Sequence, residues 1–204
     1  MNKKHPWATT TVAIILGTFV LPAFPQDNSE PPDRGGTSEV TGVPAELMEK
    51  AKRGERLAQY VLGVSYDRGL GVLRNSKEAI RWYRAAAEQD HATAQFSLGV
   101  MYAEGDGVSQ DSKEAIRWYQ ASAEQGHGHA QNNLGNMYSE GQGVSQNYVR
   151  AYMWFSLAAL GITDTFRETA VKNRDIVAQK MTSEQISEAT RLVRDWKPRN
   201  AKFP

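Results

Sequence analysis

Imidazole is the side chain best placed to bind a metal or move a proton near neutral pH. Three of the chain's four histidines lie in its middle third: His91, His127 and His129. A metal site needs three or four converging ligands. His127 and His129 flank Gly128, and no third ligand stands nearby in the sequence. His91 and His127 are 36 residues apart at equivalent positions, which suits a turn or cap residue stacked on its neighbour. Cysteine is absent, so disulfides, thiolate metal sites and a cysteine nucleophile are excluded. No serine is paired with a base, and the carboxylates are scattered over helix surfaces. Three Gly-x-Gly stretches (69–71, 105–107 and 141–143) invite a phosphate-binding reading. That reading fails, because each follows a helix instead of a strand and lacks the third glycine of a dinucleotide fingerprint. The expectation is a chain with no catalytic residue, no metal and no cofactor: not an enzyme.

The spacing that relates the histidines relates everything around them. Trp82, Trp118 and Trp154 recur at the same 36-residue interval. The string Ser-Lys-Glu-Ala-Ile-Arg-Trp-Tyr occupies 76–83 and 112–119, and 148–155 reads Tyr-Val-Arg-Ala-Tyr-Met-Trp-Phe. A fixed period of this length marks a helical solenoid whose repeats stack. Three units follow, 55–90, 91–126 and 127–162. In each, Ala, Leu and Tyr fall at i, i+4 and i+8 of a first helix (Ala94, Leu98 and Tyr102 in the second unit), forming one apolar stripe. A glycine follows each leucine (Gly63, Gly99, Gly135). Mid-helix glycine costs about 1 kcal/mol relative to alanine, so its recurrence predicts a close approach of two backbones. The Gly-x-Gly stretches then stop the helix and turn the chain.

The second helices begin at polar caps, Asn75, Asp111 and Asn147. Glu78 and Glu114 stand where a capping box places its acid, whereas the third unit has Arg150. Ala79, Trp82 and Ala86, repeated as Ala115, Trp118 and Ser122, make the inward stripe. Residues 151–160 are apolar nearly all round and must be covered on more than one side. The cover follows in sequence. Residues 165–180 align Phe166, Ala170 and Val177, and residues 182–197 align Ile186, Ala189, Val193 and Trp196 behind a Thr-Ser-Glu-Gln capping box. Residues 163–204 are therefore C-terminal capping helices and tail, and residues 44–54 an N-terminal cap helix.

Residues 1–25 carry Lys3 and Lys4, then an uncharged stretch that ends at Pro22, Ala23 and Pro25. This is the pattern of a cleaved signal peptide or of an uncleaved membrane anchor. It predicts export to the periplasm or beyond, or anchorage in the inner membrane facing the periplasm. Residues 26–43, rich in Pro, Gly, Ser and acids, read as a disordered linker. Without residues 1–25 the chain holds 22 basic and 23 acidic residues. That balance gives no electrostatic case for nucleic acid or an anionic membrane surface.

The unit pattern Ala94-Gln95, Leu98-Gly99, Tyr102, Gly105, Gly107-Val108, then Ala115 and Trp118-Tyr119 resembles the Sel-one-like repeat family, a branch of the tetratricopeptide-like repeats. The match spans 55–162, with departures at Ser65, Leu70 and Leu73 and at Met153-Trp154-Phe155. The resemblance implies an all-α, α/α superhelical solenoid of three TPR-like repeats with capping helices at both ends. It also implies a non-enzymatic adaptor of the bacterial envelope, regulatory in some relatives, with a protein or peptide partner. A Cys-rich branch of the family is linked to β-lactam binding or hydrolysis, so an envelope hydrolase or small-molecule binder is the alternative, although this chain lacks the cysteines. A purely structural part of an envelope complex is a third reading. In tetratricopeptide arrays the first helices line the concave face. That likeness points to Tyr60, Val64 and Asp67, then Phe96, Val100 and Ala103, then Asn132, Asn136 and Ser139, as a partner-binding row running from apolar to amide-rich. The same residues could instead pack against the neighbouring unit, since both readings use one helical face.

Overall fold

Helical periodicity and glycine stops dictate the element order. A computed structural model describes residues 42–162 and 166–199. Among these residues are nine α-helices and no strand: α1 (Ala45–Lys52), α2 (Arg56–Arg68), α3 (Ser76–Ala87), α4 (Ala92–Glu104), α5 (Ser112–Glu124), α6 (Gly128–Glu140), α7 (Tyr148–Gly161), α8 (Phe166–Ala178) and α9 (Ser183–Asp195). The signal or anchor at 1–25, nearly all of the linker at 26–43 and the tail end at 200–204 lie outside the described residues.

The pairs α2–α3, α4–α5 and α6–α7 are three copies of one hairpin. Each first helix stops at a left-handed glycine, Gly69, Gly105 or Gly141, with φ of 71°, 75° and 73°. That conformation is nearly free for glycine and costly for other residues. The turn closes when the N–H of Asn75, Asp111 or Asn147 donates to the carbonyl of Tyr66, Tyr102 or Tyr138, at 2.8, 2.9 and 2.8 Å. The same three residues cap the second helices. Asn75 and Asp111 each accept two backbone N–H groups, and Asn147 accepts one, from Arg150. Glu78 and Glu114 do not complete a capping box. They turn outward to Arg81 and Arg117, at 3.4 and 3.2 Å, because an arginine one turn on competes for the carboxylate. The box at Thr182 and Gln185 does form in both directions.

The alanine–leucine stripe and the tryptophan row are buried as their periodicity requires. Leu62, Leu98 and Leu134 are fully covered, and Trp82, Trp118 and Trp154 are buried. One apolar cluster runs from α3 through α9, and a second joins Trp82 and Leu62 to Ala51 of α1. The helix glycines have a different cause from the expected backbone contact. A ring lies on each one. A Cβ on Gly63 would stand 2.5 Å from Tyr83, on Gly99 2.4 Å from Tyr119, and on Gly135 2.7 Å from Phe155. The aromatic residue after each tryptophan thus packs its ring against the bare helix backbone opposite.

The apolar helix α7 is covered on two sides, as its composition demands. Ala170 and Phe166 of α8 pack on Ala158, Ala159 and Ile162. Val193 and Trp196, at the end of α9, pack against the main cluster. The chain then reaches back past α7: the N–H of Arg199 donates to the Glu124 carbonyl at 2.7 Å, and its guanidinium pairs with Asp90 at 2.6 Å.

Replacing Gly99 by leucine should displace the Tyr119 ring and lower stability by about 1–3 kcal/mol. Urea unfolding followed by far-ultraviolet circular dichroism measures this, and an unchanged midpoint would rule out the ring contact as the reason for the glycine.

Candidate functional site

The first helices bring the nine row residues into register, three per unit, and all nine are half-buried. Their surroundings differ along the row. The Tyr60 ring stacks on His91 at 4.5 Å and the Phe96 ring on His127 at 4.8 Å. These two rings therefore also join one unit to the next. Val64, Val100 and Ala103 lie partly buried against the main cluster. Asp67 accepts a hydrogen bond from the Tyr83 hydroxyl at 3.1 Å. Burial, with the nearby Asp67 charge, pushes the Tyr83 phenol far above its usual range. Asn132 and Asn136 accept from the amide of Asn173 on α8, at 3.5 and 3.4 Å. The Ser139 hydroxyl donates to the Asn136 carbonyl at 2.9 Å. The row is thus open beside units one and two and closed by α8 at unit three.

Sequence reasoning missed two parts of this surface. Leu57 and Val61, beside Tyr60 and Val64 on α2, are 65% and 39% exposed. Their equivalents in the later units are Thr93 with Ser97 and His129 with Asn133. Asn173 carried no periodic signal, because α8 is not a copy of the repeat. The hinge that fixes the row was missed too. Arg74, Gln110 and Gln146 each donate a side-chain N–H to the carbonyl of the last row residue of their unit, at 2.9, 2.6 and 2.8 Å.

The histidines cap and stack. The Nδ1 atoms of His91 and His127 accept from the N–H of Ala94 and Ala130, at 3.2 and 3.3 Å, each closing the start of a first helix. His129 meets the edge of Phe166 at 5.1 Å. Among the described residues no three His, Asp or Glu side chains come together as a metal site. Burial, and secondarily the neighbouring charge of His129, holds the His127 imidazole down to about 4.

Each first helix carries a buried glutamine in its first turn. Gln59, Gln95 and Gln131 each donate to a carbonyl of the helix before, on Ala51, Ala87 and Ala123, at 3.3, 3.0 and 3.1 Å. Gln59 and Gln95 in turn accept from Gln89 and Gln125, both at 2.7 Å. The Ala-Gln pairs of the sequence are therefore the polar pins between units.

This hairpin, turn and junction match the Sel1 repeat at residues 56–91, 92–127 and 128–161, just over half of the chain. The chain belongs to the Sel1 repeat family. Two solved structures are similar to it. One, a Sel1 repeat protein from Oxalobacter formigenes, is 38% identical over 64% of this chain and 95% of that one, with a TM-score of 0.58. The other, c5321, is a protective antigen present in uropathogenic Escherichia coli strains that displays an SLR fold. It is 30% identical over 74% of this chain, with a TM-score of 0.56, and the match spans 39% of its length. No curated protein sequence matches the chain. Sel1 repeat proteins generally mediate protein–protein interaction, and the fold is typically a non-catalytic scaffold. Among the described residues no helix is long and apolar enough to cross a membrane.

The capping role of His127 gives this Sel1 repeat protein an acid sensitivity of known sign. The imidazole is neutral in the fold down to about 4, whereas it protonates near 6.5 when unfolded. Its contribution is complete above about pH 6.5 and is lost as pH falls toward 4. His127→Asn keeps a capping acceptor without a titrating ring. Between about pH 7.5 and about pH 4.5 the native protein should lose about 2 kcal/mol more than this variant, measured as the difference in urea-derived stability at the two pH values.

Proposed function

We propose that this protein is a non-enzymatic scaffold of the bacterial envelope that holds a protein or peptide partner on the face formed by its first helices. The observation that carries the reading is the row itself. Tyr60, Val64, Asp67, Phe96, Val100 and Ala103 stay half-exposed in register on α2 and α4, flanked by exposed Leu57 and Val61. Contiguous exposed apolar surface rimmed by polar groups is the usual mark of an interaction site. Asn132, Asn136 and Ser139 supply the polar end, where Asn173 already engages the two asparagines. A partner therefore makes its apolar contacts at units one and two and meets an amide edge at unit three. An amphipathic or extended segment with one apolar and one polar end has that complementarity. The lysines and apolar stretch at 1–25 support export to the periplasm or beyond, or retention at the inner membrane facing the periplasm.

The test is affinity capture from the native envelope followed by identification of the partner and direct binding measurement. Val64→Lys with Val100→Lys places two ammonium groups in the row, on stems long enough to reach solvent and spare the fold. The double variant should bind the identified partner at least about 10-fold more weakly, with an unchanged circular dichroism spectrum. Undiminished binding, together with loss of binding on substitution of the second-helix face or the tail, would move the site elsewhere.

A further inference from the structure

Along one edge of unit one, apolar residues stand where the later units meet the unit behind them. Leu57, Val61 and Leu70 are 65%, 39% and 49% exposed. One period on, their places are taken by Thr93, Ser97 and Asp106, and two periods on by His129, Asn133 and Gln142. Those places face backward along the array. Asp106 pairs with Arg74 of unit one. Ser97 engages the Tyr83 hydroxyl, and Asn133 that of Tyr119. The His129 ring lies 6.1 Å from that of Phe96. Behind unit one stands only a second helix. Gln59 donates to the Ala51 carbonyl of α1 as Gln95 does to that of Ala87 on α3, and Leu47, in the place of Tyr83, packs with Leu62. Among the described residues no first helix precedes α1. One period before α2, residues 20–32 carry Pro22, Pro25, Pro31 and Pro32, a spacing that no continuous helix accommodates.

We propose that this edge of α2 docks an amphipathic α-helix of a partner protein, which lies where the first helix of a preceding unit would lie, across Leu47 of α1 and against Leu57 and Val61 of α2. The outer face is the wrong one for an end that meets only water. A terminal unit of a solenoid needs a polar outer face for solubility, and here leucine and valine replace the hydroxyls, amide and carboxylate of the inner seams. Contiguous exposed apolar surface marks an interaction site, and anchors at i and i+4 suit a helix. The inner seams show what such an edge takes. At α4 and α6 the first helix behind supplies a ring, Tyr60 on His91 and Phe96 on His127. That helix also sets a glycine on the second-helix ring, Gly63 on Tyr83 and Gly99 on Tyr119. The occupant therefore carries a small residue where it crosses Leu47 and a large apolar residue toward α2. This edge adjoins the first-helix row, but the inference follows from the seams and does not rest on the row.

The probe is the chain's own first helix: a capped synthetic peptide of residues 91–105, titrated into the full-length protein and followed by methyl NMR. It should shift the methyl groups of Leu47, Leu57, Val61 and Leu70 saturably. A control peptide carrying Phe96→Asp and Leu98→Asp should leave them unmoved. Leu57→Lys with Val61→Lys, at exposed positions where the ammonium groups reach solvent, should weaken binding at least about 10-fold, read from the Leu47 and Leu70 methyls, with an unchanged circular dichroism spectrum. Val64→Lys with Val100→Lys should leave peptide binding intact, so that failure of the edge and failure of the row are told apart. The proposal is overturned by any of five results: no saturable shift in large peptide excess, equal shifts from the control peptide, undiminished binding to Leu57→Lys with Val61→Lys, loss of binding in Val64→Lys with Val100→Lys, which puts the helix on the row, or a dimer of the native protein that Leu57→Lys with Val61→Lys makes monomeric in sedimentation, which puts a second copy on the edge.

Discussion

Every unit of this protein rests on an aromatic ring pressed against a helix at a point that has no side chain to meet it. Tyr83, Tyr119 and Phe155 are among the most buried large residues, and each sits where a Cβ on Gly63, Gly99 or Gly135 would otherwise be. The contact sets the separation of the two helices in a hairpin. It thereby fixes where the alanine–leucine stripe meets the tryptophan row. Glycine's unfavourable helix propensity, about 1 kcal/mol, is offset by the burial of a ring of roughly 150–250 Å². The hydroxyl that distinguishes Tyr83 from Phe155 has its own role, since it reaches across to Asp67 in the row. Where the third unit has phenylalanine, Asn173 of α8 provides the polar contact to the row instead.

Contacts between units are of a different kind. They combine a stacked histidine with a chain of glutamines, all directional. Apolar packing alone would let neighbouring units slide; a carboxamide that must find one carbonyl does not. The two kinds of contact divide the labour: rings and glycines build the hairpin, and imidazoles and amides set the stacking register. The departures from this scheme sit at the ends of the array. Leu57 and Val61 stand where Thr93 and Ser97 stand one unit later, and Gly161 stands where a glutamine is required.

Much of this was legible in the sequence because the repeat states each feature three times. The stripes, the αL glycine stops, the polar caps and the need to cover α7 on two sides all followed from spacing and residue type. The reason for the helix glycine did not. The sequence shows that something approaches Gly99, and only the fold shows that it is Tyr119, 20 residues on, and not a backbone. Glu78 and Glu114 have capping-box spacing, yet the arginines one turn later take them; local motif and local competitor were both visible, and their relative strength was not. The amide end of the row was readable from Asn132 and Asn136. The asparagine that meets them was not, because α8 lies outside the period.

The wrapping of α7 constrains how this architecture can grow. With α8 along one side of α7, α9 along another and Arg199 tied back to Glu124 and Asp90, the closing helices take the place on the last hairpin where a further copy would stack. At the other end α1 occupies the position of a preceding second helix against Leu62 and Trp82. Unit two alone has a like neighbour on both sides, and it carries a full set of junction groups: His91, Gln95, Phe96 and Gln125. A duplication of residues 91–126 would reproduce each of those contacts at the new seam and leave both termini untouched. Lengthening from the interior is the route this chain leaves open, and each added copy would extend the apolar part of the row with another phenylalanine and another valine.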